Sequence, residues 1–317
     1  MRILLALLLA AAAFGDEAPY ASKTPLPAPQ VFAPGSISTG DFESHPAFTP
    51  DGATLYYLKD APNFSFWTMV VSHFKNGKWE TPSVVPWSGR YRDADPFITA
   101  DGQHFYFISD RPVDGTPKED LDIWVMDRRG DGWSEPRHLD APVNSSGNEW
   151  FPTVASDGTL YFGSDREGGL GRTDIYRCRL TDGKYAPAEN LGDAINSKFE
   201  EFEPMIAPDQ SFLIFMSGGR PEGKGSGDLY LSLYRDGKWQ PAKNLGEPIN
   251  SRALEISPKL SPDGRYLFFT SSRGVFTGKP FDKAMTTEDL TRTLRGPGNG
   301  MGDIYQIDLA ALGITKP

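Results

Sequence analysis

Apolar and polar positions recur along this chain at an interval of 50 to 56 residues. In each repeat a Pro stands five residues before an Asp: Pro46 and Asp51, Pro96 and Asp101, Pro152 and Asp157, Pro204 and Asp209, Pro258 and Asp263. Short apolar runs flank this Asp, as in residues 152–155 and 160–162, and Gly follows it in four of the five repeats. Asp-Gly between two apolar runs favours a tight type I′ hairpin, so each repeat begins with two antiparallel strands.

Two further apolar runs complete the repeat. The third begins with Asp and an aliphatic residue in four repeats, at Asp122, Asp174, Asp228 and Asp303. A second turn such as Asn76-Gly77 then leads to an aromatic residue and a fourth run. Four strands in about fifty residues form the blade of a β-propeller. The sequence therefore predicts an all-β fold, a five-bladed β-propeller with four antiparallel strands per blade.

The fifth repeat ends after its third strand, near residues 304–309. The fourth run and following loop of the preceding repeat, residues 242–255, align with residues 29–43 near the N-terminus. An N-terminal strand that completes the last blade would close the ring and remove two open sheet edges. We therefore predict closure by residues from the N-terminus.

The remaining segments predict how the chain is divided. Residues 1–15 contain one Arg, a short apolar run and small residues, which indicates a secretory signal peptide and a periplasmic or secreted protein. Residues 16–29 are predicted to be a linker, and residues 30–313 a single propeller domain. The last blade has an insertion, residues 274–302, with a short Thr-capped helix expected over 286–295. An insertion of this length in a compact domain favours a functional role.

The charge of the chain limits its partners. The formal net charge is −10, and it becomes −11 if Arg2 is removed with the signal peptide. An acidic exported protein is poorly suited to nucleic acid or to anionic lipid, so we expect neither, and no membrane span after cleavage. The single cysteine, Cys178, has no internal disulfide partner and is predicted to be a small packed residue. We expect a monomer.

A carboxylate stands three residues before each repeat Pro, and a basic residue follows the second strand. The acids are Glu43, Asp93, Glu149, Glu201 and Glu255; the bases are Lys59, Arg111, Arg166, Arg220 and Arg273. Because the first strand of a blade lines the central channel, the acids are expected to ring one channel mouth. A role in holding the blades together is favoured, since the acid recurs in every blade. Ligand binding and a Ca²⁺ site are the alternatives; no other cofactor is expected, and the four His have no transition-metal spacing.

Three further polar residues precede the repeat Pro directly: His45, Asp95 and Glu203. Aromatic and basic residues in the loops between blades form a separate set. These are Trp87, Arg90, Tyr91, Arg92, Trp150, Phe199 and Phe202. Aromatic side chains around a concave polar mouth suit a protein or a glycan, so this set is the predicted binding face.

The stretch from Pro258 to Arg273, with its Ser-Pro-Asp-Gly and Ser-Ser-Arg motifs, resembles the WD40-like PD40 repeat of TolB-type propellers. The fuller pattern from Asn144 to Tyr176 is similar to the PD40 repeats of bacterial envelope proteins that carry an OmpA-like domain. The resemblance covers about residues 30–310. It implies a non-catalytic binding propeller of the cell envelope that contacts a protein partner through its loop face.

A second resemblance implies an enzyme. Asp95-Pro96 resembles the Asp-Pro motif of five-bladed arabinanases and β-xylosidases. Under this alternative the chain is a glycoside hydrolase that uses acids on its inner strands, and Glu43, Asp95, Glu149 and Glu201 are the candidates. The high similarity among the five repeats disfavours it.

Overall fold

The computed structural model describes residues 18–275 and 281–314. They form five blades of antiparallel strands arranged as a β-propeller, which confirms the predicted fold class. The predicted signal peptide, residues 1–15, lies outside the described residues.

The strands follow the repeat closely. Blade 1 comprises Phe42–Phe48, Thr54–Asp60, Trp67–Lys75, and an outer strand in two pieces, Lys78–Trp79 and Ser83–Val84. Blade 2 comprises Ala94–Ile98, His104–Ser109, Asp122–Arg129, Gly132–Trp133 and Arg137–His138. Blade 3 comprises Glu149–Val154, Leu160–Ser164, Asp174–Cys178 and Glu189–Asn190, with a small hairpin of Leu180–Thr181 and Lys184–Tyr185. Blade 4 comprises Glu200–Ile206, Phe212–Gly218, Asp228–Arg235, Lys238–Trp239 and Lys243–Asn244.

Blade 5 is completed by the N-terminal region, as predicted. Its strands Glu255–Leu260, Tyr266–Ser271 and Asp303–Asp308 are followed by Gln30–Val31, which pairs antiparallel with Asp303–Asp308. A 3₁₀ turn, Leu309–Leu312, follows the third strand. The closing strand pairs with a sheet edge that would otherwise be open.

The segment predicted as a linker packs on the propeller from Ala18 onward. Tyr20 and Leu26 are almost completely buried in the core shared by blades 5 and 1. The Leu26 N–H donates to Asp308, and the Gln306 amide donates to the Tyr20 carbonyl oxygen. This stretch therefore anchors the closing strand.

The Asp-Gly hairpins differ from the predicted type I′ turns. In the first of them only Gly52 has a positive φ, 69°, while the Gly52 N–H donates to the Thr49 carbonyl. This is a longer connection, in which a type I turn is followed by one left-handed residue. Two consecutive residues with positive φ, as type I′ requires, occur at the second turn of blades 1, 3 and 4, for example at Asn76 and Gly77.

The insertion has the predicted helix, α1, over Thr287–Leu294. Thr286 caps its N-terminus in a reciprocal capping box with Asp289, which satisfies N–H groups left free by the first turn. No residue of α1 is buried.

Candidate functional site

The five repeated acids are completely buried, each within its own blade. Their exposed fractions are 0%, so their carboxylates are not exposed to solvent in this structure. In four blades the carboxylate accepts bonds from the hydroxyl and N–H of a residue four positions earlier. The pairs are Glu43 with Thr39, Glu149 with Ser145, Glu201 with Ser197 and Glu255 with Ser251. Each of these four acids thus holds the loop that enters its blade.

The predicted basic partners complete this network. The Arg220 guanidinium lies 2.9 Å from Glu201, donates to the Ile195 carbonyl and stacks over Phe215 and Tyr230. The arrangement recurs for Arg111 with Asp93, Arg166 with Glu149 and Arg273 with Glu255; Lys59 pairs with Glu43. Burial raises the pKa of Glu43, Asp93 and Glu149, and the hydrogen bonds and cations oppose this. The network binds strands and loops together and leaves little acceptor capacity for a ligand.

A second set of side chains, all but one of them polar, meets at the axis of the propeller. The residue before each repeat Pro has a positive φ of 51° to 58° and lies in a β-bulge: His45, Asp95, Phe151, Glu203 and Ser257. A Pro after a bulge costs no ladder hydrogen bond, because the ladder is already interrupted there. The bulge turns these residues toward one another.

His45 holds two acids from other blades. Its Nε2 lies 3.1 Å from Asp95 Oδ1 and 3.3 Å from Glu203 Oε1. Blades 1 and 4 are not neighbours, so the contact between His45 and Glu203 crosses the centre of the ring. The remaining acid oxygens accept backbone N–H groups, Asp95 from Phe151 and Glu203 from Ser257. All five blades are joined by this axial cluster.

The hydrogen bonds of His45 define its charge. The Ser44 hydroxyl donates to Asp60 and accepts from His45 Nδ1, at 2.6 Å, while Nε2 donates to the acids. Both ring nitrogens therefore carry protons. Burial alone would lower the pKa of His45, but Asp95 and Glu203 outweigh it and raise the pKa. Burial raises the pKa of Asp95, and His45 partly offsets this.

Lys259, from blade 5, also lies in this cluster, and like Phe151 and Ser257 it was not among the residues predicted from the sequence. It is 4% exposed, its Nζ lies 3.8 Å from the centre of the Phe151 ring, and that nitrogen has no hydrogen-bond partner among the described residues. Burial lowers its pKa to about 7, and the charges of Asp95 and Glu203 oppose the shift. The sequence does contain a feature that could have identified it. Of the residues that directly follow the repeat Pro, only Lys259 is charged; the others are Ala47, Phe97, Thr153 and Met205.

The residues proposed for a glycosidase do not assemble into a substrate site. Glu43, Glu149 and Glu201 are held inside their own blades, and only Asp95 reaches the axis. There it meets Glu203, but the His45 ring fills the space between the two carboxylates. A glycoside would have to displace this imidazole to lie between an acid and a base.

The residues of the predicted binding face pack against neighbouring side chains. Trp87 packs on Phe105 and Tyr56; its ring centre lies 5.7 Å from that of Phe105 and 6.2 Å from that of Tyr56. Tyr91 lies against the guanidinium groups of Arg90 and Arg111, and Arg92 pairs with Asp110. Trp150 contacts Phe202, and Phe199 lies under Lys198. None of these aromatic rings belongs to the exposed large apolar side chains of the described chain.

Exposed apolar side chains concentrate elsewhere, on the insertion and on the neighbouring loop of blade 1. We call this set the apolar corner: Phe64, Phe66, Val275, Phe281, Met285, Leu290 and Leu294, which are 37% to 61% exposed. A groove of about 330 Å³ adjoins it, lined by Gly40, Asp41, Phe42, Lys59, Asp60, Ala61, Pro62, Phe66 and Met301. The corner has the composition of an interaction surface.

Two negative findings apply to the described residues. Within residues 18–275 and 281–314, no group of three or more His, Cys, Asp or Glu side chains is placed to hold a metal ion. In the same ranges, no helix has the length and apolar character needed to cross a bilayer. Cys178 is buried, and burial raises the pKa of its thiol to about 11.

Comparison with known proteins supports the fold and leaves the function open. No family model matches the chain. A curated protein of Bacillus subtilis (strain 168), "Uncharacterized peptidase YuxL", is 25% identical over 238 residues. The match covers 72% of this chain but only 29% of that protein.

Two solved structures resemble the whole propeller. The α-L-arabinofuranosidase from Lactobacillus brevis has a TM-score of 0.54 and 10% identity, covering 87% of this chain and 92% of the enzyme. A thermostable family-43 glycoside hydrolase has a TM-score of 0.50 and 14% identity, covering 89% and 96%. TolB from Acinetobacter baumannii has a TM-score of 0.49 and 16% identity, covering 84% of this chain and 57% of TolB. At these identities the similarities concern the fold alone.

Proposed function

We propose that this chain is an exported, non-catalytic binding propeller of the bacterial cell envelope, and that it holds a protein partner at the apolar corner of its loop face. The supporting observation is the concentration of exposed apolar side chains there. Seven of the eleven large apolar side chains that are exposed in the described residues belong to the corner. Surface patches of this kind mark interaction sites in soluble proteins.

The state of the acids supports binding over hydrolysis. The repeated acids are bonded to loops and to basic side chains, and the two axial acids are bonded to His45. The resemblance to PD40 repeats of envelope proteins and the signal peptide expected at residues 1–15 favour a periplasmic or secreted location.

The test compares surface variants in a pull-down from envelope extract. A chain with Phe66→Ser, Leu290→Ser and Leu294→Ser is expected to lose a protein that the wild type captures. Val84→Ser is the matched control, because Val84 is 54% exposed but lies on the outer strand of blade 1. All chains must first melt alike.

Other outcomes would reject the proposal. If the triple variant captures the partner as well as the wild type does, the apolar corner is not the binding site. If only Trp150→Ala loses the partner, the binding site is the predicted aromatic face. Hydrolysis of arabinan or xylan by the wild type, abolished by Asp95→Asn, would establish the enzyme instead.

A further inference from the structure

We propose that the groove beside the apolar corner binds an extended segment of the partner in which a large apolar side chain adjoins a Lys or Arg, with the cation held by Asp60 and Asp41. This inference rests on the proposed function and specifies the chemistry of the partner. It follows from the shape, the apolar rim and the charges of the groove.

The groove is a firm surface because the insertion docks on the entry to blade 1. A Cβ at Gly40 would lie 2.6 Å from the Arg295 backbone, and one at Gly302 would lie 2.2 Å from the Phe42 ring. The Asn299 amide donates to the Gly40 carbonyl at 3.0 Å. Such close approaches require glycine and fix the end of α1 beside the first strand of blade 1.

One side of the groove is apolar. Phe42 lies on its wall and contacts Phe64, with ring centres 5.0 Å apart. Phe66, at the rim, is 61% exposed, which is the largest value among the exposed large apolar side chains. An inserted apolar side chain would remove this surface from water, which favours binding.

The other side has an excess of acids. Lys59 is shared between Asp41, at 2.6 Å, and Glu43, at 3.0 Å. Asp60 accepts the Ser44 hydroxyl with Oδ2, whereas its buried Oδ1 has no hydrogen-bond partner among the described residues. The lining of the groove therefore carries two carboxylates, those of Asp41 and Asp60, and one ammonium group, that of Lys59. A cationic side chain of the partner would balance this charge.

Hydrogen bonds connect the groove to the axial cluster, since the Ser44 hydroxyl bonds both Asp60 and His45. Burial raises the pKa of Asp60 to about 6; the His45 charge opposes this, while Asp95 and Glu43 add to it. Protonation of Asp60 at lower pH would remove its attraction for a cation. Binding should therefore weaken by about tenfold between pH 7.5 and pH 5.

The experiment uses three fluorescein-labelled ten-residue peptides, measured by fluorescence anisotropy with the full chain in 150 mM NaCl. The first contains Leu and Phe beside Lys; the second has Glu for Lys, and the third has Ser for Leu and Phe. The first peptide is expected to bind, and the other two at least tenfold more weakly. Phe66→Ser and Asp60→Asn should each weaken the first peptide at least tenfold, because the Asn oxygen still accepts from Ser44 but has no charge.

Controls address folding and non-specific attraction. Val84→Ser and Asp236→Asn change exposed residues outside the groove and should bind the first peptide like the wild type. Asp41→Asn, at a side chain that is 67% exposed, is a second charge variant with little risk to the fold and should weaken binding.

Several results would overturn the inference. One is equal affinity for the Lys and Glu peptides. Another is unchanged affinity for the first peptide in both Asp60→Asn and Asp41→Asn. Self-association that Phe66→Ser abolishes would assign the corner to a second copy, and sedimentation with phosphatidylglycerol vesicles would assign it to lipid. If no peptide binds while envelope capture still requires the corner, this inference fails and the proposed function stands.

Discussion

Blades 4 and 5 have the same repeat, but only blade 4 is built from one continuous stretch of chain. In blade 4 Asp228 accepts the N–H groups of Lys224 and Gly225 and the side-chain amide of Asn244, at 2.9, 3.1 and 2.7 Å. In blade 5 the equivalent Asp303 accepts the Gly298 N–H at 2.7 Å, and its buried Oδ1 has no partner among the described residues. The same residue type is well satisfied in one blade and poorly in the other.

The origin of the outer strand explains the difference. Asn244 pairs with Tyr230 in blade 4, while Val31 of the closing strand pairs with the equivalent Tyr305 in blade 5. Val31 cannot donate to Asp303, so burial raises the pKa of that carboxyl to about 7. The residues around the closing strand instead contribute packing: the ring centre of Phe268 lies 5.2 Å from that of Phe32 and 6.3 Å from that of Tyr20. At this edge blade 5 therefore gains apolar contacts where blade 4 has the Asn244–Asp228 hydrogen bond.

Removal of the closing segment should have the largest effect. A chain that begins at Gly35 lacks the strand Gln30–Val31 and the buried Tyr20 and Leu26, so blade 5 regains an open edge. We expect loss of the cooperative thermal transition and aggregation on size-exclusion chromatography. A monomeric truncated chain with an unchanged melting curve would show that the ring does not depend on this segment.

Breaking the acid network should come next, and it should cost more in blade 4 than in blade 5. Glu201→Ala leaves the guanidinium of Arg220 buried and uncompensated, which costs about 3–5 kcal/mol of unfolding free energy. Glu255→Ala should cost less, because Arg273 is 23% exposed and lies farther from its acid, at 3.3 Å. Urea denaturation measures both.

The double variant Glu201→Ala with Arg220→Met is the control for this comparison, since it removes both charges. It should recover part of the stability lost by Glu201→Ala. Equal losses for Glu201→Ala and Glu255→Ala would mean that the two networks contribute alike.

The sequence was sufficient for the fold because the repeat encodes it locally. Strand number follows from the spacing of the Pro and Asp residues, and closure follows from the likeness between residues 29–43 and 242–255. The turn type was wrong because Asp-Gly alone does not specify loop length. In the first hairpin Phe48 pairs with Leu55, so six residues rather than two separate the paired positions.

The site was harder to predict because it is assembled across the ring. His45, Asp95 and Glu203 could be recognised before their Pro residues, but no local pattern indicates that blade 1 reaches blade 4 through the axis. The apolar corner likewise depends on the docking of the insertion against Gly40 and Phe42. The helix sequence alone does not indicate that Leu290 and Leu294 are exposed.

A further prediction concerns the pH dependence that Asp303 gives to the stability of the chain. An unfolded Asp has a pKa of about 3.9, whereas that of Asp303 is about 7, so the folded chain binds more protons between these values. This group therefore makes the free energy of unfolding fall as pH rises from about 4 to 7. Asp303→Asn should remove that contribution and be more stable than the wild type at pH 8, while the two are similar at pH 4.

Asp228→Asn should instead destabilise the chain through its hydrogen bonds. Its single amide oxygen cannot accept three donors, so this variant should be less stable than the wild type at pH 8. Val31→Asn sharpens the comparison, because it offers blade 5 the donor that Asn244 gives blade 4, and it should flatten the pH dependence only when Asp303 is present. Thermal melts at pH 4, 6 and 8 measure all three variants. If the melting temperatures of Asp303→Asn and the wild type change with pH in parallel, the missing donor at Val31 has no consequence for stability.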